Sequence, residues 1–407
     1  MEQINFKIYG YRWIVLFAFM FVVAINQLLW ITFAPITGSA AIYYGVSDLS
    51  IGLLSMCFMI VYIVVSIPAS WVIDKFGIRV AVGIGATMTG LFGLMRGLVA
   101  TDYTLVLIAQ IGIAIGQPFI LNAVTTVAAR WFPIQERATA VGLGSLSMYV
   151  GIAVALVLTP YLTIQSQISG MLLIYGVVSV ISIVVFFALV KERPPTPPCL
   201  PGQEERSLVF EGFKESLQIR NFVLLLIIFF VGLGVFNAVT TWIEDIVRPR
   251  GFSIIHAGNT GGLMIVGGII GAVVIPLLSD HYRKRTPFLL LAVIGTTIGL
   301  VGITFATSYW LLLISAFVFG FFLLSAGPVG FQYGAEVTYP TPEGTSNGLL
   351  LLMGQISGIA FILGMDSFKS IETGSMTLPL IVLIGLMVLG LFLCTKLKDS
   401  STLMGGK

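Results

Sequence analysis

The chain has 407 residues, of which 57% are hydrophobic and 10% charged, with a formal net charge of +3, whereas an ordinary soluble domain carries about 25% charged residues. So much apolar surface cannot be hidden in a water-soluble fold, and it arrives in blocks such as Ile51 to Val72 and Val223 to Asn237, on the scale of the roughly 20 residues that carry a helix across a bilayer. Only helices and closed barrels satisfy their backbone in lipid, and barrel strands would alternate polar and apolar residues, so the expectation is an all-α membrane protein.

Splitting the chain at charged and turn-forming stretches predicts twelve transmembrane helices, over 11–38, 50–72, 79–100, 103–131, 137–163, 169–190, 221–247, 253–279, 287–306, 309–334, 345–366 and 376–396. The opening stretch MEQINFKIYGYRW carries two basic residues but no small-residue cleavage signal, and reads as the cytoplasmic start of the first helix. Of the 21 Lys and Arg residues, all but Arg96, Arg248, Arg250 and Lys369 then fall at cytoplasmic positions, which places both termini in the cytoplasm.

Within the first span, AINQLLWITFAPI sets Asn26, Gln27 and Trp30 in an apolar run, and Asn26 and Trp30, four residues apart, share a face. DKFGIR follows the second span, where Gly77 permits a tight turn and Asp74, Lys75 and Arg79 make a compact charge cluster suited to latching one half of the protein against the other. Arg96, near the end of the third span, is expected to snorkel to the headgroups. The fourth span carries Gln117 beside the bend-forming Pro118, then Asn122. ARWFPIQERATAVG, with Arg137, leads into the fifth. After the sixth, the prolines of KERPPTPPCLPGQEERSLVFEGFKESLQIRN forbid a continuous helix, although EERSLVFEGFKESL could lie as an amphipathic helix on the membrane surface. The seventh span brings Asn237, Thr240, Thr241 and Trp242, then Glu244 and Asp245, which are read either as solvated residues at the outer mouth or as coupling groups. The tenth contributes Gln332 and Tyr333, and the eleventh Asn347 and Gln355. Trp242 is read either as a binding residue or as an anchor at the outer headgroups. Polar side chains inside a span are candidates for function, the alternative being interhelical glue worth about 0.6 kcal/mol.

The chain repeats itself. Trp131 to Ala153 aligns without a gap on Thr338 to Ala360, matching Pro133 with Pro340, Glu136 with Glu343 and Gly151 with Gly358, while Ser70 to Arg79 matches Pro276 to Arg285, pairing Asp74 with Asp280 and Arg79 with Arg285. Two six-helix halves, residues 1–190 and 221–407 joined by a cytoplasmic linker at 191–220, describe a transporter whose halves rock about a midplane site.

DKFGIR resembles the signature loop of the major facilitator superfamily, with Ser70 where the leading Gly is usual, and ARWFPIQERATAVG is similar to that superfamily's run between helices 4 and 5. The resemblance extends over nearly the whole chain. It implies a major facilitator fold in which helices 1, 4, 7 and 10 line a central cavity, and gating roles for Asp74, Lys75, Arg79, Arg137, Asp280 and Arg285. More narrowly, NQLLWITFAPI, SWVIDKFGIR, GQPFILN, WFPIQERATA and GVFNAVTTW together resemble the feline leukaemia virus subgroup C receptor-related transporters, a branch associated with choline, ethanolamine and haem. That resemblance implies Trp30 as an aromatic cage residue and Gln117 and Gln355 as substrate amides; Asn237 stands where the branch has a tyrosine.

The functional expectation is a secondary active or facilitative transporter of a small organic solute by alternating access, a choline-like amine or cation being favoured, with Asn26, Trp30, Gln117, Asn122, Asn237, Trp242 and Gln355 binding it. Alternatives are an exporter of drugs or organic anions, with Glu244, Asp245 and Arg96 as coupling charges, and a non-transporting membrane receptor. No nucleophile with a base and no Walker-type loop points to an enzyme. Cys57, Cys199 and Cys394, with His256 and His281 as the two histidines, form neither a disulfide framework nor a metal spacing, and no cofactor is expected. The expected partners are a small-molecule substrate and the lipid bilayer, without nucleic acid; the expected state is a monomer in the cell membrane.

Overall fold

A computed structural model describes residues 8–196, 198, 213–341 and 343–398. The amphipathic helix expected at 204–217 lies outside these residues except for a short helix at Phe213–Ser216. Among the described residues the helices in chain order are α1 (Arg12–Ile31), α2 (Thr37–Tyr44), α3 (Asp48–Phe76), α4 (Ile78–Leu98), α5 (Tyr103–Leu121), α6 (Val124–Trp131), α7 (Ile134–Leu189), α8 (Phe213–Ser216), α9 (Arg220–Thr241), α10 (Ile243–Val247), α11 (Ile254–Tyr282), α12 (Thr286–Phe305), α13 (Tyr309–Thr338), α14 (Glu343–Ser367) and α15 (Thr377–Cys394). Among the described residues eleven helical stretches are long and apolar enough to cross a membrane. One of them, the 56-residue α7, is interrupted at Gln167 (φ 60°, ψ 175°) and supplies two spans, so the expected twelve are present.

Three expected spans are broken within their length. In the first, Pro35 has no N–H for the carbonyl of Ile31 and its ring would crowd that carbonyl, and α1 ends at Ile31 before a 3₁₀ turn and α2. The fourth breaks at Asn122, one turn past Pro118, and the seventh at Trp242. The first two breaks free backbone groups inside the membrane, where they must find partners in the protein, whereas the third falls where the α9 span ends at Thr241.

The chain forms two compact units. One gathers the chain as far as Thr32 with Val61–Ala155 and the stretch from Leu162 into the linker; the other gathers Phe33–Ile60, Leu156–Tyr161 and the C-terminal part. Inside the first, Phe19, Val22, Val82, Ile120, Phe132 and Phe186 share a core, and α4 meets α5 backbone to backbone, a Cβ on Gly85 falling 2.8 Å from the carbonyl of Gly116 and one on Gly116 2.7 Å from that of Gly85. In the second unit α11 and α13 approach more closely still, with Gly320 of α13 lying directly on the Met264 carbonyl of α11 and Gly271 on that of Phe321. Small residues that bring backbones together are how helices associate in lipid, where burial of apolar area gives little drive. Large apolar residues such as Val64, Leu98, Leu277, Ile298 and Ile314 are exposed, as a lipid-facing surface requires.

Candidate functional site

In the first unit the polar residues of α1 form a connected network. Asn26 donates to Thr89 Oγ1 at 3.0 Å, and Gln27 donates to Asn26 Oδ1 at 3.2 Å. One turn on lie Trp30 and then the end of the helix, where Thr32 Oγ1 donates back to the carbonyl of Leu28 at 2.8 Å. The carbonyl of Leu29 would pair with the amide of Phe33 in an unbroken helix. Here it accepts from Arg96 Nη1 at 3.0 Å and from Gln110 Nε2 at 3.1 Å, while Arg96 also donates to Gln110 Oε1 at 2.7 Å and to Thr32 Oγ1 at 3.3 Å. The expectation for Arg96 is therefore corrected: it is 0% exposed and does not snorkel, because the Leu29 carbonyl released where α1 ends, the Gln110 amide and the Thr32 hydroxyl accept from its guanidinium inside the protein. Trp30 and Gln117 are each 6% exposed.

Asn122 has its side chain fully engaged. It donates to the Ser66 carbonyl, Ser66 Oγ and Ser70 Oγ and accepts from the Tyr62 hydroxyl at 2.7 Å, joining the α5–α6 break to α3. In this arrangement it is glue between helices. At the turn after α3, Gly77 has φ 88°, and the first amides of α4, those of Ile78 and Arg79, donate to the carboxylate of Glu192 at 3.1 and 2.7 Å, a cap the sequence reading did not find. Glu192 also pairs with Arg130, Lys75 lies 4.8 Å from the Trp71 ring centroid, and Asp74 is within electrostatic reach of Arg130. Arg137 donates to the carbonyls of Ala129 and Phe132, closing the end of α6.

In the second unit Asn237 donates to the Gly354 carbonyl at 3.1 Å, and Gly358 packs against its amide. Gln355, the next residue of α14, is half-buried. Trp242 is fully buried, donates to the Ile362 carbonyl at 3.1 Å and covers Gly52, so it is neither exposed at a headgroup layer nor presented to solvent. Arg285 pairs with Asp280 and with Glu336 Oε1 at 3.1 Å, and Gln332 donates to the same carboxylate.

Glu244 and Asp245, in α10 past the end of the α9 span, are 3% and 0% exposed and so are not plainly solvated. Arg248 Nη1 donates to Glu244 Oε2 at 3.1 Å and Nη2 to Asp48 Oδ2 at 2.7 Å, and Arg248 also pairs with Asp245. Lys369 bonds Asp48 and approaches Asp245 at 3.5 Å; the backbone amide of Gly38 donates to Glu244 at 2.9 Å. Burial raises the Asp245 carboxyl to about 7, although the charges of Arg248 and Lys369 pull it down, and burial raises Glu244 as well. Sequence reasoning overlooked Asp48, Gln110 and the cluster roles of Arg248 and Lys369. The signal was there for the last two, which are among the four basic residues that break the cytoplasmic charge bias.

The sequence profile of the Major Facilitator Superfamily matches residues 15–362. Relatives include solute carrier family 49 member A3 of Xenopus tropicalis, 31% identical over 380 residues that make up 89% of this chain and 79% of that one. The human choline/ethanolamine transporter FLVCR2 is 29% identical over 376 residues, 87% of this chain and 71% of that one. Among solved structures, a bacterial homolog of the human lysosomal transporter Spinster shares the fold, with a TM-score of 0.71 and 17% identity over 96% of both chains. The chain belongs to the major facilitator superfamily, and it is a multi-pass membrane transporter and not an enzyme. Within the superfamily it falls with solute carrier family 49 and the FLVCR-related transporters, the branch its motifs resemble.

Proposed function

We propose that the protein carries a small organic cation of the choline or ethanolamine kind by alternating access, with Trp30 supplying the aromatic face and Asn26, Gln117, Asn237 and Gln355 supplying neutral amides. The carrying observation is the chemistry of α1, which places Trp30 one turn from Asn26 in a helix whose other polar residues are Arg12 at its start and Gln27. A quaternary ammonium offers no N–H to a carboxylate, and an indole face attracts it by about 0.5–2 kcal/mol depending on desolvation. Two relatives named as choline/ethanolamine transporters support the reading. Arg96, the residue an organic anion would need, donates to neutral groups of its own unit, which favours a cation over the anion-exporter reading. The proposal includes both termini in the cytoplasm, a monomer in the plasma membrane, residues 1–190 and 221–407 as the moving halves, and Asp74 and Asp280 as parts of a cytoplasmic latch.

The test is equilibrium binding of radiolabelled choline and ethanolamine to the purified protein. Trp30→Ala should abolish binding, and Trp30→Phe should keep part of it at a melting temperature close to that of the wild type. Equal loss in both variants with a large fall in melting temperature would make Trp30 a packing residue. Binding of organic anions in place of amines by the wild type would overturn the substrate class.

A further inference from the structure

The ionic cluster of the second unit joins the two halves of the sequence, because Asp48 and Gly38 come from the N-terminal half and Glu244, Asp245, Arg248 and Lys369 from the C-terminal half. Its composition is unbalanced. Three carboxylates meet two cations, and Asp366 lies close enough to feel both Lys369 and Asp48. Excess charge out of water is strongly disfavoured unless paired or neutralised by a proton. The three carboxylates are not equally provided for. Asp48 accepts hydrogen bonds from Arg248 and Lys369, and Glu244 from Arg248 and the Gly38 amide. Asp245 is fully buried with no hydrogen bond to either oxygen, its contacts with Arg248 and Lys369 being ionic but misaligned.

We propose that Asp245 is the group that takes a proton when this cluster assembles at acidic to neutral pH, so that in this range opening the cluster releases a proton and closing it takes one up. The proposal deepens the alternating-access reading, on which it rests, by giving the transporter a proton-linked gate. The groups facing Asp245 are Arg248, Lys369, Asp48 and Glu244. A groove of about 470 Å³ lined by Ser39, Ile42, Val46, Asp48, Glu244 and Arg248 reaches the cluster at Asp48, Glu244 and Arg248. The direction follows from the carboxyl being raised from its ordinary 3.8 to about 7 by burial. A raised value means the assembled cluster is most favoured below about 4, loses ground as pH rises toward about 7, and changes no further above that. One linked proton changes the ratio of open to closed by up to tenfold per pH unit within that window.

Spin labels at Ile42→Cys, on the helix of Gly38, and Ile371→Cys, two residues from Lys369, both exposed positions, in a background with Cys57, Cys199 and Cys394 changed to Ser, report the state by pulsed electron resonance in substrate-free proteoliposomes. In the otherwise unchanged protein the short-distance population should fall as pH is raised from 4.5 to 7 and level beyond. Asp245→Asn, which mimics the protonated acid, should hold the short distance at every pH, and Glu244→Gln should move the midpoint to lower pH by removing a neighbouring negative charge. A distance distribution constant across this range, or an Asp245→Asn profile that follows the parent, overturns the proposal. Abolition by Glu244→Gln while Asp245→Asn retains the profile would overturn it too. Because no solute is present, an error in the choline assignment leaves this result untouched.

Discussion

Arg96 and Gln110 form a pair whose energetic coupling can be worked from its geometry. Replacing Arg96 by Met removes the donors to Leu29, Gln110 and Thr32 but leaves Leu29 its bond from Gln110 Nε2, so the orphaned groups are neutral; an unsatisfied neutral group costs about 1–3 kcal/mol. Replacing Gln110 by Leu does more harm, because it leaves a buried guanidinium, 0% exposed, without its shortest bond, 2.7 Å. Leaving a donor of a buried charged group unsatisfied costs more than the roughly 1–3 kcal/mol of a neutral one. Gln110→Leu should therefore destabilise by about 3 kcal/mol, Arg96→Met by about 2, and the double variant by little more than Arg96→Met alone, a coupling of about 2–3 kcal/mol. Unfolding midpoints in graded mixtures of sodium dodecyl sulfate and mild detergent give the four corners of the cycle. Additive single effects, within the roughly 0.3–0.5 kcal/mol seen for independent sites, would refute the claim that these two side chains jointly hold the end of α1. Since the clamped carbonyl immediately precedes Trp30, choline affinity should fall in both single variants.

Gly320→Val should prevent folding or sharply lower the melting temperature, since its Cβ would lie 1.8 Å from the Met264 carbonyl and backbone cannot yield as a side chain can, whereas Gly385→Ala, with nothing within 4 Å, should melt like the wild type. Asn122→Leu should destabilise by about 1–3 kcal/mol through the lost bonds to α3 yet bind choline with unchanged affinity; a selective loss of binding at constant melting temperature would return Asn122 to the substrate site. With the proposed orientation, a membrane-impermeant thiol reagent added to intact cells should label Gly45→Cys and spare Arg193→Cys, and the reverse pattern would invert the topology.

Much of this protein is written locally. A span is a property of about 20 consecutive residues and their transfer into lipid, so the twelve spans and the Gly77 turn follow from short stretches, whereas the break at Pro35 interrupts a first span that reads as continuous over 11–38. Asn26 and Trp30 were legible for the same reason, four residues on one helix sharing a face in any fold. The destinations of the charges were not. Arg96 read as a residue near a membrane surface because sequence shows its neighbours along the chain, whereas its partners are a carbonyl freed by a break in another helix and an amide on a third. Lys369 and Asp48 stand 321 positions apart and meet only because tertiary packing brings the end of one helix beside the start of another. Coulomb energy depends on distance through space and on exclusion of water, neither of which is encoded by spacing along the chain, and so the folded arrangement alone decided that Asp245 would be the carboxylate left without a hydrogen bond.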